Sequence, residues 1–238
     1  MSTYNFGSEE FRSMASLRID QVVEFLESKG FEVVSETEET QSYASPDFPD
    51  IVIRIGEYAD NMMVYASIIA SEPSIRNSRH TLHINDIMVT DAGAVLYMTE
   101  PLEEISEQAA DATSIYGLRH YYPKLNRPLD RHYSDFCNTL DKIFKNSVNT
   151  GEDWRDMIDL EDNINLNIFL RKGKGHECLV LGDPLSGDFT KASVQVINKN
   201  MDAMIALWPS LDAEKLRKAM DVAIEANMTA NSETEMLL

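Results

Sequence analysis

Apolar residues in this chain come in short runs broken by proline, glycine or acid. None approaches the roughly 18 residues that would cross a bilayer as a helix. Some runs are β-branched or alternate apolar with polar, the period of a half-buried strand. Others place apolar residues at helical spacing. Strand-like and helix-like runs are mixed along the chain, and the order helix, about three strands, helix recurs in both halves. The expected class is therefore α+β: antiparallel sheets flanked by helices. With 238 residues and 43% hydrophobic residues, the chain is long enough to bury a sizeable core despite its charge.

The pattern reads as follows. Residues 1–15 look like a loose lead-in. A helix is predicted from Ser16 as N-cap, with Leu17, Ile19, Val22, Val23, Phe25 and Leu26 as its apolar stripe. It ends at Lys29-Gly30, where glycine suits the left-handed position after a helix. Phe31–Glu36 alternates as a strand, and residues 36–48 read as an acidic loop. Asp50–Ile55 and Met62–Ala70 read as two strands of a hairpin. After Pro73, Leu82–Met88 is expected to be helical, Ala94–Thr99 a strand and Leu102–Ser114 a helix. Residues 117–131 contain Gly117, Pro123 and Pro128 and carry positive charge, so they are the best candidate linker. Beyond it come a helix over 130–146, a short acidic helix over 153–162, strands at Ile164–Leu170, Cys178–Leu181 and Phe189–Ile197, and helices at Asn200–Leu207 and Ser210–Asn227. The expected organisation is an acidic α+β unit over 1–116, a linker over 117–131, a second unit over 132–227 and a tail over 228–238. Each unit would run helix, about three strands, helix; one wide sheet is the alternative.

Charge narrows the function. The net charge is −19, and it is uneven. Residues 1–120 hold 21 acids and 7 bases, net −14, whereas residues 121–238 hold 19 acids and 14 bases, net −5. A field of this sign raises the cost of approaching nucleic acid or an anionic membrane directly. It suits a basic protein partner. Cys137 and Cys178 form neither a disulfide framework nor a Cys-x-x-Cys pair, and the first ten residues have no basic and apolar leader pattern. A cytoplasmic protein with reduced thiols is expected.

Several clusters carry the residue types of a chemical site. His80, His83 and Asp86 would share one face of a helix, and imidazole with carboxylate suits zinc. The cluster lacks the glutamate base of a His-Glu-x-x-His motif. His120 and His132 lie beside arginines and tyrosines, and a His132–Asp135 or Cys137–His pair is the arrangement that could activate a nucleophile. Arg171-Lys-Gly-Lys-Gly-His176 is basic and glycine-rich, but no Ser or Thr follows the Gly-Lys of a P-loop, and a hairpin turn accounts for it. Asp153, Asp156, Asp159, Glu161 and Asp162 surround Trp154 without the central glycine of a calcium loop. Glu36, Glu38, Glu39, Glu103, Glu104 and Glu107 read as solvated acids that act through their collective field. Gly-x-Ser-x-Gly and dinucleotide fingerprints are absent. Twelve methionines, among them Met62, Met63, Met88, Met98, Met201, Met204 and Met220, would fill a core or form an adaptable surface.

Three stretches carry a family resemblance. Asn167–Gly175, Leu179–Gly187 and Ser210–Met220 resemble the C-terminal part of class I type III secretion chaperones. The N-terminal helix, Lys29–Val34, the run after it and Ile84–Met88 with Gly93–Met98 are similar in order to YbjN-like proteins. This chain is longer than one such chaperone, and Asn198–Ser210 intervenes before its last helix. The resemblance implies a binding protein that holds an extended partner segment along a sheet and helix surface, with no catalytic residues and no cofactor.

The expected function is thus a non-enzymatic, acidic protein-binding module of chaperone or adaptor type. Its partner would be a protein, and the acidic field suits a basic one, with neither direct nucleic-acid binding nor membrane binding; a homodimer is an allowed assembly. One alternative is an inhibitor that mimics nucleic-acid charge and blocks a nucleic-acid-handling enzyme. The other is a metal-dependent enzyme using His80, His83 and Asp86.

Overall fold

β-branched and aromatic residues in the N-terminal half form five strands: β1 (Glu32–Glu36), β2 (Thr40–Ala44), β3 (Val52–Gly56), β4 (Ile84–Val89) and β5 (Val95–Thr99). The computed structural model describes residues 4–36, 40–104, 129–147, 168–173, 176–182, 185 and 189–235. The five strands make an antiparallel sheet of order β1-β2-β3-β5-β4. Strand β5, between β3 and β4, is buried on both faces: Leu96 and Met98 point to one core, Val95 and Tyr97 to the other.

The first core lies under helix α1 (Ile19–Ser28) and the chain preceding it. Phe6, Phe11 and Met14 are fully buried there, and the rings of Tyr4, Phe11, Phe31 and Phe48 meet at centroid distances of 5.3–6.2 Å. The described part of the lead-in is therefore packed, not loose. The helix begins at Ile19, not Ser16, which lies in a preceding 3-10 turn over Arg12–Ser16. Gly30 takes φ +76° as anticipated, the conformation that lets the chain leave α1 and enter β1.

The second core is built around helix α2 (Asn61–Ser71). Met62–Ala70 was expected to be a strand; it is a helix in which all nine of these residues are buried. A helix enclosed on every side has no polar face, so its sequence shows no amphipathic period and cannot be told from a buried strand. Its start is set by Asp60, whose carboxylate accepts the Met63 amide at 3.3 Å and the Tyr97 hydroxyl at 2.9 Å and pairs with Arg54 at 3.1 Å. The short helix α3 (Pro73–Arg76) follows, with proline in its first turn.

Helices α4 (Leu129–Asn146), α5 (Lys191–Leu207) and α6 (Ala213–Glu235) supply the rest of that core with strands β6 (Glu103–Glu104), β7 (Ile168–Gly173) and β8 (His176–Leu181). The last three form an antiparallel sheet of order β6-β7-β8. Phe136, Leu140, Ile143 and Phe144 give α4 the buried stripe its spacing predicted. α5 lies along α2, with Asn200 donating to the Ser67 hydroxyl at 3.3 Å. Residues on both sides of 117–131 share this core: Ile68 and Tyr97 pack in the same cluster as Leu181, Met204, Trp208 and Leu216. The division between 1–116 and 132–227 is thus crossed by packing.

Other expectations need correction. Leu82–Met88 is not helical: Ile84–Val89 is strand β4. Thr40–Ala44, placed in a loop, is β2. The strand expected at Phe189–Ile197 is the start of α5, where Thr190 caps the Ser193 amide at 3.4 Å and Ser193 caps Thr190 at 3.0 Å. Asp212 rather than Ser210 caps α6, accepting the amides of Glu214 at 2.8 Å and Lys215 at 3.1 Å, and the helix continues past Asn227. These amides, chiefly Lys215's, hold the Asp212 carboxyl below its usual range. The seven methionines named above are all buried, so they fill core rather than forming an adaptable surface. The helix expected over Leu102–Ser114 is not one where it is described, since Glu103–Glu104 is β6, and the linker expected over 117–131 has its last residues, 129–131, in α4; residues 105–128 and the helix expected over 153–162 lie outside the described residues.

Ile68→Ala, in the middle of α2, is expected to cost about 2–5 kcal/mol in urea unfolding, because it opens a cavity in the core that α2 shares with β4, β5, α5 and β8. Val34→Ala on the exposed β1 is expected to stay within about 0.5 kcal/mol. Equal costs at the two positions would contradict this placement of the core.

Candidate functional site

The five-stranded sheet has two edges, and they are treated differently. At the β4 edge, the Asp86 carboxylate accepts the Phe6 amide at 2.8 Å and the Ile87 amide at 3.0 Å, and it is also hydrogen-bonded by Ser210. The Trp208 indole donates to the Ile84 carbonyl at 3.1 Å. The N-terminal segment and the α5–α6 connection therefore close this edge. Asp86 is fully buried, and that burial raises its pKa even though four hydrogen bonds oppose the shift.

The β1 edge is different. All five residues of β1 are exposed, and Val33 and Val34 show 48% and 57% of their surface. β1 pairs with β2 on one side, and among the described residues no strand pairs with its other side. The register steps between Val33 and Ser35, which makes Val34 the extra residue of a bulge. Val33 stands opposite Tyr43 and Glu36 opposite Gln41. The Tyr43 hydroxyl donates to Gln41 at 2.7 Å, and the Gln41 amide donates to Glu36 at 2.7 Å. Burial first, then the charges of Glu27 on α1 and Glu36 on β1, raise the Tyr43 pKa, which puts both carboxylates near one phenol. Lys29, at the end of α1, lies 5.6 Å over the Phe25 ring.

Comparison with known protein families, curated proteins and solved structures returned no match to this chain.

The expected chemical clusters resolve as follows. His80, His83 and Asp86 do not share a helix face, because β4 begins at Ile84. His80 is buried, with Nδ1 2.9 Å from the Leu179 carbonyl and its ring edge-on to Phe136 at 5.5 Å. His83 is exposed, and its amide donates to Glu100 at 2.8 Å. With Asp86 committed to the closed edge, these three do not form a metal-holding group, and among the described residues no set of three or more His, Cys, Asp or Glu is placed to hold a metal ion. Cys137 and Cys178 are not disulfide-bonded. Cys178 Sγ lies 3.6 Å from His80 Nδ1 and donates to the Arg79 carbonyl at 3.3 Å. A carbonyl only accepts, so the His80 Nδ1 bond to Leu179 uses its proton, and that nitrogen has no lone pair with which to take the thiol proton. His120 and the acidic run at 153–162 lie outside the described residues, as does the side chain of His132 in α4.

Arg171 begins the basic run singled out in the sequence, and it clasps the structure instead of holding a phosphate. Its guanidinium donates to Glu100 through Nε at 2.7 Å and through Nη2, to the Arg79 carbonyl at 2.6 Å and to the Thr81 carbonyl at 2.8 Å. Glu100 in turn receives the His83 amide, so one ion pair ties β7 to the turn before β4 and to the end of β5. No local sequence signal marks a pair 71 residues apart. Among the described residues, no helix is long and apolar enough to cross a membrane.

Arg171→Lys keeps the charge but cannot supply four donors in a plane, so it is expected to cost about 1.5–3 kcal/mol in chemical denaturation. Unchanged stability would remove the clasp. Asp86 predicts a pH dependence. A carboxyl whose folded pKa is raised favours folding most when protonated, so its contribution falls as pH rises from the ordinary carboxylate value of 3.8 through the raised one. The stability advantage of wild type over Asp86→Asn should shrink across that window; an advantage that grows with pH would contradict the burial argument.

Proposed function

We propose that this protein is a non-enzymatic, acidic binding module of chaperone or adaptor type that receives an extended segment of a partner protein on the outer edge of β1. The observation that carries this reading is the contrast between the two sheet edges. β4 is closed by Phe6 and Trp208, while β1 presents Val33 and Val34 to solvent. An open edge offers backbone groups for strand addition, and exposed β-branched side chains beside it give an incoming segment apolar contacts. The net charge of −14 over residues 1–120 supports a basic partner. The resemblance to secretion chaperones supports the same class of activity.

The test is a display of extended peptides of varied sequence, scored for binding to the full chain and to Val33→Glu/Val34→Glu. Both positions are exposed, so the double variant should fold with nearly wild-type stability. The expected result is a set of bound β-branched peptides that the double variant binds at least about tenfold more weakly, since it loses the apolar contact and gains repulsion. Peptides bound equally by both proteins, or none bound by wild type, would contradict the reading. Binding abolished by moderate salt and insensitive to the valines would instead favour the nucleic-acid-mimic alternative.

A further inference from the structure

Resting on the protein-binding reading above, we infer that the segment β1 receives carries Lys or Arg on both sides of a short β-branched run, and that a second copy of β1 is excluded. β1 reads Glu32-Val33-Val34-Ser35-Glu36, an apolar centre between two carboxylates four residues apart. At about 3.3 Å of rise per residue, the two acids stand roughly 13 Å apart along the edge. The bulge puts Glu36 on the face of Val33, Gln41 and Tyr43 and Glu32 on the face of Ala44, so an added strand meets a negative charge at each end, one on each face, with the valines between them.

The surroundings reinforce that sign. Residues 20–39 contain seven acids and one base, and the base, Lys29, lies over Phe25. Glu36 is held in place by the Gln41–Tyr43 relay, with Glu27 of α1 close to the same phenol. An incoming cation at this end meets a carboxylate already oriented by its neighbours, which lowers the ordering cost of pairing.

The same pattern works against self-association. A second copy of β1 would bring two more carboxylates to the same edge, Glu32 on the Ala44 face and Glu36 on the Gln41 face of each strand, and charge of one sign along a strand pair is destabilising. The bulge at Val34 adds local twist to the edge, a second obstacle to long flat pairing between copies. A partner segment with a cation near each glutamate, one on each face, replaces that repulsion with attraction.

Three labelled peptides test the inference: a β-branched core flanked by lysines, the same core flanked by serines, and the same core flanked by glutamates. Each is titrated by fluorescence anisotropy against the full chain, Glu32→Lys/Glu36→Lys and Val33→Glu/Val34→Glu, with sedimentation of the proteins alone. The expected result is that wild type binds the lysine peptide about tenfold or more tightly than the glutamate peptide, with the serine peptide between them. The charge-reversed variant should reverse that order. Equal affinity for all three peptides, lost in the valine variant, would overturn the charge inference and leave the edge reading standing. Binding indifferent to the valine variant would remove the edge reading itself. A wild-type dimer abolished by the valine variant would place a second copy on the edge and also overturn the inference. If the charge-reversed variant fails to fold, the order of the three peptides on wild type still decides.

Discussion

The rest of the structure depends on the enclosure of α2. Nine consecutive residues, Met62–Ala70, are withdrawn from water, and a helix apolar on every side is stable only with neighbours on every side. The sheet covers one flank through Val95 and Tyr97, and α5 covers another. The β7–β8 hairpin is tied on by the Tyr65 hydroxyl, which donates to the Leu181 carbonyl at 2.9 Å. Elements from both halves of the chain are thus recruited to one helix. This is why the described parts of the two halves do not pack as separate bodies.

Placing α2 in the middle decides the fate of the sheet edges. The strands that share its core, β5 and β4, are covered, and the returning chain brings Trp208 and Ser210 against β4. β1 is the strand farthest from that traffic in the order β1-β2-β3-β5-β4, and it keeps an exposed outer edge. Flanking charges and a bulge are known devices against edge-to-edge pairing, and β1 carries both; the proposed basic segment is of the opposite charge. The acidity read from the sequence thus acquires a location.

The sequence was most legible where residues have one wet face and one dry face. The stripe of α4, the β-branched β3 and β5 and the turn at Gly30 were all anticipated, and the α+β class with antiparallel sheets followed from them. It was least legible where burial is complete. Met62–Ala70 lost its helical period because no face is polar, and Leu82–Met88 lost its strand period because Ile87, Met88 and Val89 are buried on both sides of the sheet. The start of α5 was hidden by alternating residues around Thr190, whose capping exchange with Ser193 is the signal that could have revealed it. At the candidate site, the acidic character was visible, but the edge was not, because edge status belongs to strand order and not to any residue. The Arg171–Glu100 clasp and the closing of β4 by Asp86 join residues about 70–125 apart, beyond any local pattern.

The most direct measurement of the central claim is residue-resolved amide hydrogen exchange of the full chain, alone and saturated with the lysine-flanked peptide. Unbound, alternate amides of β1 should exchange quickly while those of β4 and β5 are protected. In the complex, the fast β1 amides should slow and the β4 edge should not change. Protection of every β1 amide in the unbound protein, or slowing confined to α5, α6 or the β7–β8 hairpin, would show that the β1 edge is not where a partner is received.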